Sequence, residues 1–158
     1  MTLAGIGYDS HRLQEGRRLV LGGVEIPGEI GLAGHSDADV LVHAVIDALL
    51  GAAGLGDIGQ HFPDTEERWR DADSMALLAH VLDLLGERGM TPRNVDCTIV
   101  LERPRVGPHR AAIRESLARA LALPAERVNV KATTGEGMGF VGRGEGAAAF
   151  AIATVQEQ

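Results

Sequence analysis

At 158 residues, with a formal charge of −7 and a single cysteine, the chain is expected to form one domain over residues 1–158 with its own core. The negative charge argues against a nucleic-acid or anionic-membrane surface, and no apolar stretch approaches the roughly 20 residues of a membrane span. Cys97 has no intramolecular disulfide partner and residues 1–10 lack the basic-then-apolar pattern of a secretory leader, so a cytoplasmic location is expected.

Residues 3–8 and 18–26 read as two strands, possible partners in a hairpin, the second closed by Pro27 and Gly28. The stretch His35–Leu50 follows. Nine of the twelve residues from Asp39 to Leu50 are apolar, and no Pro or Gly interrupts them, so a helix is predicted with Ser36 or Asp37 as its N-cap. A helix apolar on nearly every side is a buried one. Steps of four keep Asp39, His43 and Asp47 on one stripe, with His35 just before the helix start. Buried carboxylates cost several kcal/mol or more without partners, so side chains or a cation must satisfy that stripe.

Residues 54–72 form a long loop, the kind that serves as a lid or stays mobile. A second helix is expected from about Ser74 to Arg88, capped by Asp73 or Ser74, and a strand over 94–101 with Val95, Cys97 and Ile99 on one face. A third helix over about 109–121 follows, then a strand from Val128 to Thr134. A Gly-rich segment, 135–146, leads to a last strand over 147–155. This order implies an α+β layer fold, helices covering one face of a single sheet. The last strand is apolar on both faces and built of small residues, which suggests that its second face packs against another subunit.

Three constellations could carry chemistry. Asp9 and His11, two apart on a strand, share a face; with His43 from the helix they make a His₂/Asp set that leaves one tetrahedral position open, the pattern of catalytic zinc. The same residues also fit a bland account, with Asp9 and His11 in a turn and His43 bonded to Asp39 or Asp47 in the core. Residues 128–146 combine backbone N–H groups, hydroxyls, Lys131 and Arg143, which suits an anion, although six glycines in thirteen residues also suit an ordinary connection. Asp57–Asp64 reads equally as a polar lid or a surface loop. His61, His80 and His109 have no companions at ligand spacing and read as surface residues, and Cys97 as a small core residue. On these residues alone a zinc hydrolase and an oligomeric ligand-sensing module both remain open.

Gly-Tyr-Asp9-Ser-His11, His35-Ser-Asp-Ala-Asp-Val-Leu-Val-His43, Gly56-Asp-Ile-Gly, Phe62-Pro-Asp-Thr, Val130-Lys-Ala-Thr-Thr and Gly142-Arg-Gly-Glu-Gly occur in this order. Together they resemble the 2-C-methyl-D-erythritol 2,4-cyclodiphosphate synthases of the non-mevalonate isoprenoid pathway. The resemblance implies a homotrimer of ferredoxin-like subunits, sheets packed around the axis and active sites between neighbours. It implies cyclisation of 4-diphosphocytidyl-2-C-methyl-D-erythritol 2-phosphate with release of CMP. By position, Asp9, His11 and His43 are expected to hold a divalent cation, zinc by preference. His35 and Thr134 match residues credited with transition-state stabilisation, and Glu136 a residue near a second ion, magnesium or manganese, on the diphosphate. Ser36, Asp57, Ile58, Gly59, Phe62 and Asp64 match substrate contacts on the erythritol side. Leu101, Pro104, Arg105, Val106, Gly107, Ala132 and Thr133 match the cytidine pocket, and Phe140 and Arg143 complete the expected contacts. Leu101, Arg105 and Gly135 depart from the residues common at those positions. Arg143 and Tyr8 could line a trimer-axis cavity of the kind that holds an isoprenoid diphosphate in this family, with Phe150 standing where some members carry an acidic residue.

Overall fold

Alternating inward and outward side chains carry the first strand far past Tyr8. In the computed structural model, which describes residues 1–158, β1 runs Thr2–Glu15. It is held by antiparallel pairing to the last strand, β7 (Gly146–Glu157), through Asp9↔Ala149 and His11↔Ala147. The sheet is five-stranded, ordered β4-β1-β7-β5-β6, where β4 is Ile30–Ala33, β5 Met90–Val100 and β6 Val128–Thr133. It is mixed: β5 and β6 are parallel and the remaining pairs antiparallel.

The segment 18–26 is not one strand and does not pair with β1. It folds on itself as β2 (Leu19–Leu21) and β3 (Val24–Ile26), joined by Gly22 and Gly23. Both glycines have positive φ, 61° and 78°, the backbone a tight two-residue hairpin turn requires. The second neighbour of β1, on the side away from β7, is β4, which the sequence reading missed.

The helices α1 (Val40–Ala53), α3 (Ser74–Glu87) and α4 (Arg110–Ala120) cover one face of the sheet, with α1 against β1, β5 and β7. α1 is buried on nearly every side, as its composition predicts. It lies very close to β1, since a Cβ on Gly5 would come within 2.1 Å of the Ala48 carbonyl oxygen. Its N-cap is Asp39, not Ser36 or Asp37, whose side chains turn elsewhere. The Asp39 carboxylate accepts from the Val42, Gly22 and Gly23 amides at 2.8–3.0 Å, tying the helix start to the β2–β3 turn. Two further short turns of helix sit in expected loops: α2 (Ile58–His61) and α5 (Gly139–Gly142). The opposite face of the sheet carries Ile6, Tyr8, Phe150 and Ile152, between 46% and 69% exposed. No helix is long and apolar enough to cross a membrane.

Candidate metal centre

Side chains alternate along β1, so Asp9 and His11 both turn toward α1, where His43 occupies the first full turn. Three ligand atoms converge. Asp9 Oδ2 lies 2.8 Å from His11 Nε2 and 3.0 Å from His43 Nδ1, and the two ring nitrogens are 3.2 Å apart. His43 is therefore not bonded to Asp39 or Asp47 through its side chain. Asp39 caps α1, and Asp47 accepts from the Ile58 amide at 3.0 Å.

The outer nitrogens decide what the inner ones present. His11 Nδ1 sits 3.1 Å from the Ala33 carbonyl, which can only accept, so Nδ1 carries the proton and Nε2 offers a lone pair. His43 Nε2 meets the hydroxyls of Ser74 at 2.8 Å and Ser36 at 3.2 Å. A carboxylate oxygen and imidazole nitrogens within 3.2 Å of one another repel as bare lone pairs; a cation between them resolves the conflict. The donor set of one carboxylate and two imidazoles fits a divalent transition metal with positions left for other ligands, and these three residues form a geometrically possible metal site. With no cation bound, burial alone would raise the Asp9 pKa, but imidazolium rings at His11 and His43, protonated and donating to it, outweigh burial and pull the group down to about 2. Burial pulls the His11 pKa down, yet the Asp9 carboxylate wins and raises it.

The centre opens into a cavity of about 570 Å³. Of the residues expected at the site, His35, Ser36, Ile58, Gly59, Phe62 and Asp64 line it together with Asp9, His11 and His43. His35 Nε2–H donates to the Glu66 carbonyl at 3.0 Å, fixing the ring against the lid segment. Asp57 instead caps α2, accepting from the Gln60 amide at 3.0 Å. Sequence reasoning missed Trp69, which meets Phe62 edge to face with centroids 4.9 Å apart. A lone tryptophan in an otherwise polar loop was the available signal.

A second group of expected residues gathers at the ends of β5 and β6 and does not line this cavity. The Leu101 amide donates to the Thr133 carbonyl at 3.0 Å, extending the pairing past Ala132, which lies opposite Ile99. Pro104 and exposed Arg105 lead to buried Val106 and to Gly107, the start of a short 3₁₀ turn. Thr134 Oγ1 accepts from the Glu136 amide at 3.1 Å, and Glu136 adopts a left-handed φ of 52°. Phe140 packs on Gly146 near His11 and Arg12. Two basic residues near this second group are engaged: Lys131 pairs with Asp96 at 2.8 Å, and Arg143 Nε with Glu145 at 3.1 Å.

His61 is half-buried rather than on the surface, its Nε2–H donating to the Leu55 carbonyl at 2.7 Å. His80 is exposed and meets Phe62 edge to face. Cys97 is a core residue, its thiol pushed up to about 12 by burial.

The sequence pattern of the YgbB family matches residues 2–156. The chain is 61% identical to the 2-C-methyl-D-erythritol 2,4-cyclodiphosphate synthase of Salinibacter ruber, over 96% of this chain and 97% of that one. It is 56% identical to the Geobacter sulfurreducens protein of the same name, over 98% of each. A solved structure of 2C-methyl-D-erythritol-2,4-cyclodiphosphate synthase with CDP bound superposes with a TM-score of 0.89 at 42% identity, covering 97% of this chain and 99% of that one. The chain belongs to the YgbB family.

Proposed function

We propose that the chain converts 4-diphosphocytidyl-2-C-methyl-D-erythritol 2-phosphate to 2-C-methyl-D-erythritol 2,4-cyclodiphosphate and CMP, the activity named for its relatives. An oxygen of the substrate's own 2-phosphate attacks the β-phosphorus, and the bond from that phosphorus to the oxygen bridging the α-phosphate breaks, so CMP departs with the bridging oxygen. No protein nucleophile is needed; the task is to bend the substrate into line and to neutralise charge. The observation that carries this reading is the convergence of Asp9, His11 and His43 on the floor of the cavity.

Those three residues would hold a divalent cation, zinc by donor type. Bound there, it supplies Lewis acidity to a phosphoryl oxygen. Ser36, Ile58, Gly59, Phe62 and Asp64 enclose the erythritol end, with Asp57 beside them at the start of α2. His35 and the Thr134 hydroxyl donate to the charge that builds at phosphorus. Glu136 takes part in holding magnesium or manganese on the diphosphate. The cytidine end lies against Leu101, Pro104–Gly107 and Ala132-Thr133, with Phe140 and Arg143 nearby.

The two groups of residues are separate within one chain, while the far face of the sheet exposes Ile6, Tyr8, Phe150 and Ile152. Both facts support a homotrimer in which the apolar faces meet and one chain's cytidine group completes its neighbour's cavity. A buried, unreactive Cys97 suits the cytoplasm. Product analysis tests the activity: the cyclic diphosphate with equimolar CMP is expected, and release of inorganic phosphate would instead identify a hydrolase.

A further inference from the structure

Behind His43, on the side away from Asp9 and His11, lies a chain of polar contacts that ends in a carboxylate. His43 Nε2 is 2.8 Å from Ser74 Oγ, and Ser74 is fully buried. The Ser74 hydroxyl in turn makes a very close contact with Asp37 Oδ1, while the Ser74 amide donates to Asp37 Oδ2 at 3.0 Å. The Asp39 amide donates to Asp37 Oδ1 at 3.1 Å, so the carboxylate is held from two directions. A hydroxyl has one proton. An ionised carboxylate can only accept, so Ser74 donates its one proton to Asp37 and offers His43 only a lone pair. The Nε2 of His43 must then be the donor, which leaves its Nδ1 to face Asp9 and His11.

We infer that Asp37 and Ser74 are positioning residues of the metal centre: Asp37 fixes the rotation of the Ser74 hydroxyl, and Ser74 fixes the ring orientation and Nε2–H form of His43. The inference rests on the reading of Asp9, His11 and His43 as a cation site. It adds a relay from residues that do not touch the cation. Ser36, 3.2 Å from the same nitrogen, cannot replace Ser74, because it has no carboxylate to orient its proton and instead accepts from the Ala38 amide at 3.3 Å. The relay also joins the site to the end of the lid. The Asp37 amide donates to the Ala72 carbonyl at 3.1 Å and the Asp71 amide to the His35 carbonyl at 2.7 Å, so the strap entering α3 is tied to the loop entering α1.

The test is the zinc affinity of the metal-stripped full-length chain, measured by chelator competition for wild type, Ser74→Ala, Asp37→Asn and the double variant. Ser74→Ala is expected to weaken zinc about 10–100-fold, the usual effect of losing a group that orients a ligating histidine, and Asp37→Asn by a smaller factor. In the Ser74→Ala background Asp37→Asn should cost nothing more, because the relay is already cut. Excess zinc should restore turnover to Ser74→Ala, which a merely structural defect would not allow. Wild-type affinity in Ser74→Ala, or effects of the two substitutions that simply multiply, would overturn the relay while leaving the metal site intact. Should Ser74→Ala not fold, unchanged affinity in Asp37→Asn overturns it alone. Failure of the wild type to bind any divalent cation would remove the metal reading and the relay with it.

Discussion

A methyl group on Gly7 would lie 1.9 Å from the carbonyl oxygen of Ala44. Gly7 comes two residues before Asp9 and Ala44 immediately after His43, so this bare-backbone contact sets the distance at which the ligands meet. Gly7→Ala must push α1 off β1. A loss of about 3 kcal/mol is expected in urea unfolding, since the clash is with backbone that cannot rotate away. Any folded fraction should also have weakened metal binding.

Asp39 is fully buried and collects three backbone amides. Asp39→Ala removes the cap of α1 and strands the Gly22 and Gly23 donors together, so a loss of about 3 kcal/mol is expected in chemical denaturation.

The same carboxyl gives a pH signature. Burial raises its pKa from 3.8 to about 6 even against the three amide hydrogen bonds. The folded state therefore holds this proton more tightly than the unfolded chain does. The stabilisation is fully present below the unfolded value and is lost as pH rises through about 6. Relative to Asp39→Asn, which does not titrate, the wild type should lose roughly 3 kcal/mol between about pH 4 and pH 7. Parallel unfolding curves for the two proteins across that range would contradict the shift.

Ile152 lies on the open face of the sheet, more than half exposed. If that face is buried between subunits, Ile152→Asp places a charge in an apolar interface. Sedimentation should then show trimer for the wild type and monomer for the variant, with turnover lost because each cavity lacks its neighbour's cytidine group.

Thr134 stands outside the metal cavity of its own chain. Thr134→Ala is accordingly expected to lower turnover about a hundredfold, the scale of one lost donor to transition-state charge, with metal content unchanged. Equal loss of both would instead point to a structural role.

Much of this was legible in the sequence because it is periodic. The buried α1 and the inward Cys97 follow from spacing of three and a half or of two. The length of β1 was not legible. Its second half, Asp9-Ser-His-Arg-Leu-Gln-Glu, offers few apolar residues and is held as a strand by pairing with β7 and β4. The turn at Gly22–Gly23 was hidden because both arms are apolar and read as one run. At the site, residue type and face singled out Asp9, His11 and His43 as one candidate set beside a bland account, and the resemblance favoured the set. The contacts of Asp37 and Ser74 were not legible, since contacts between segments remote in sequence leave no periodic trace.

Metal analysis of the purified wild type beside His43→Ala tests the central claim most directly. One divalent ion per wild-type chain, and its loss from a variant that still folds, is the expected result. Equal metal content in the two proteins would contradict the assignment of Asp9, His11 and His43.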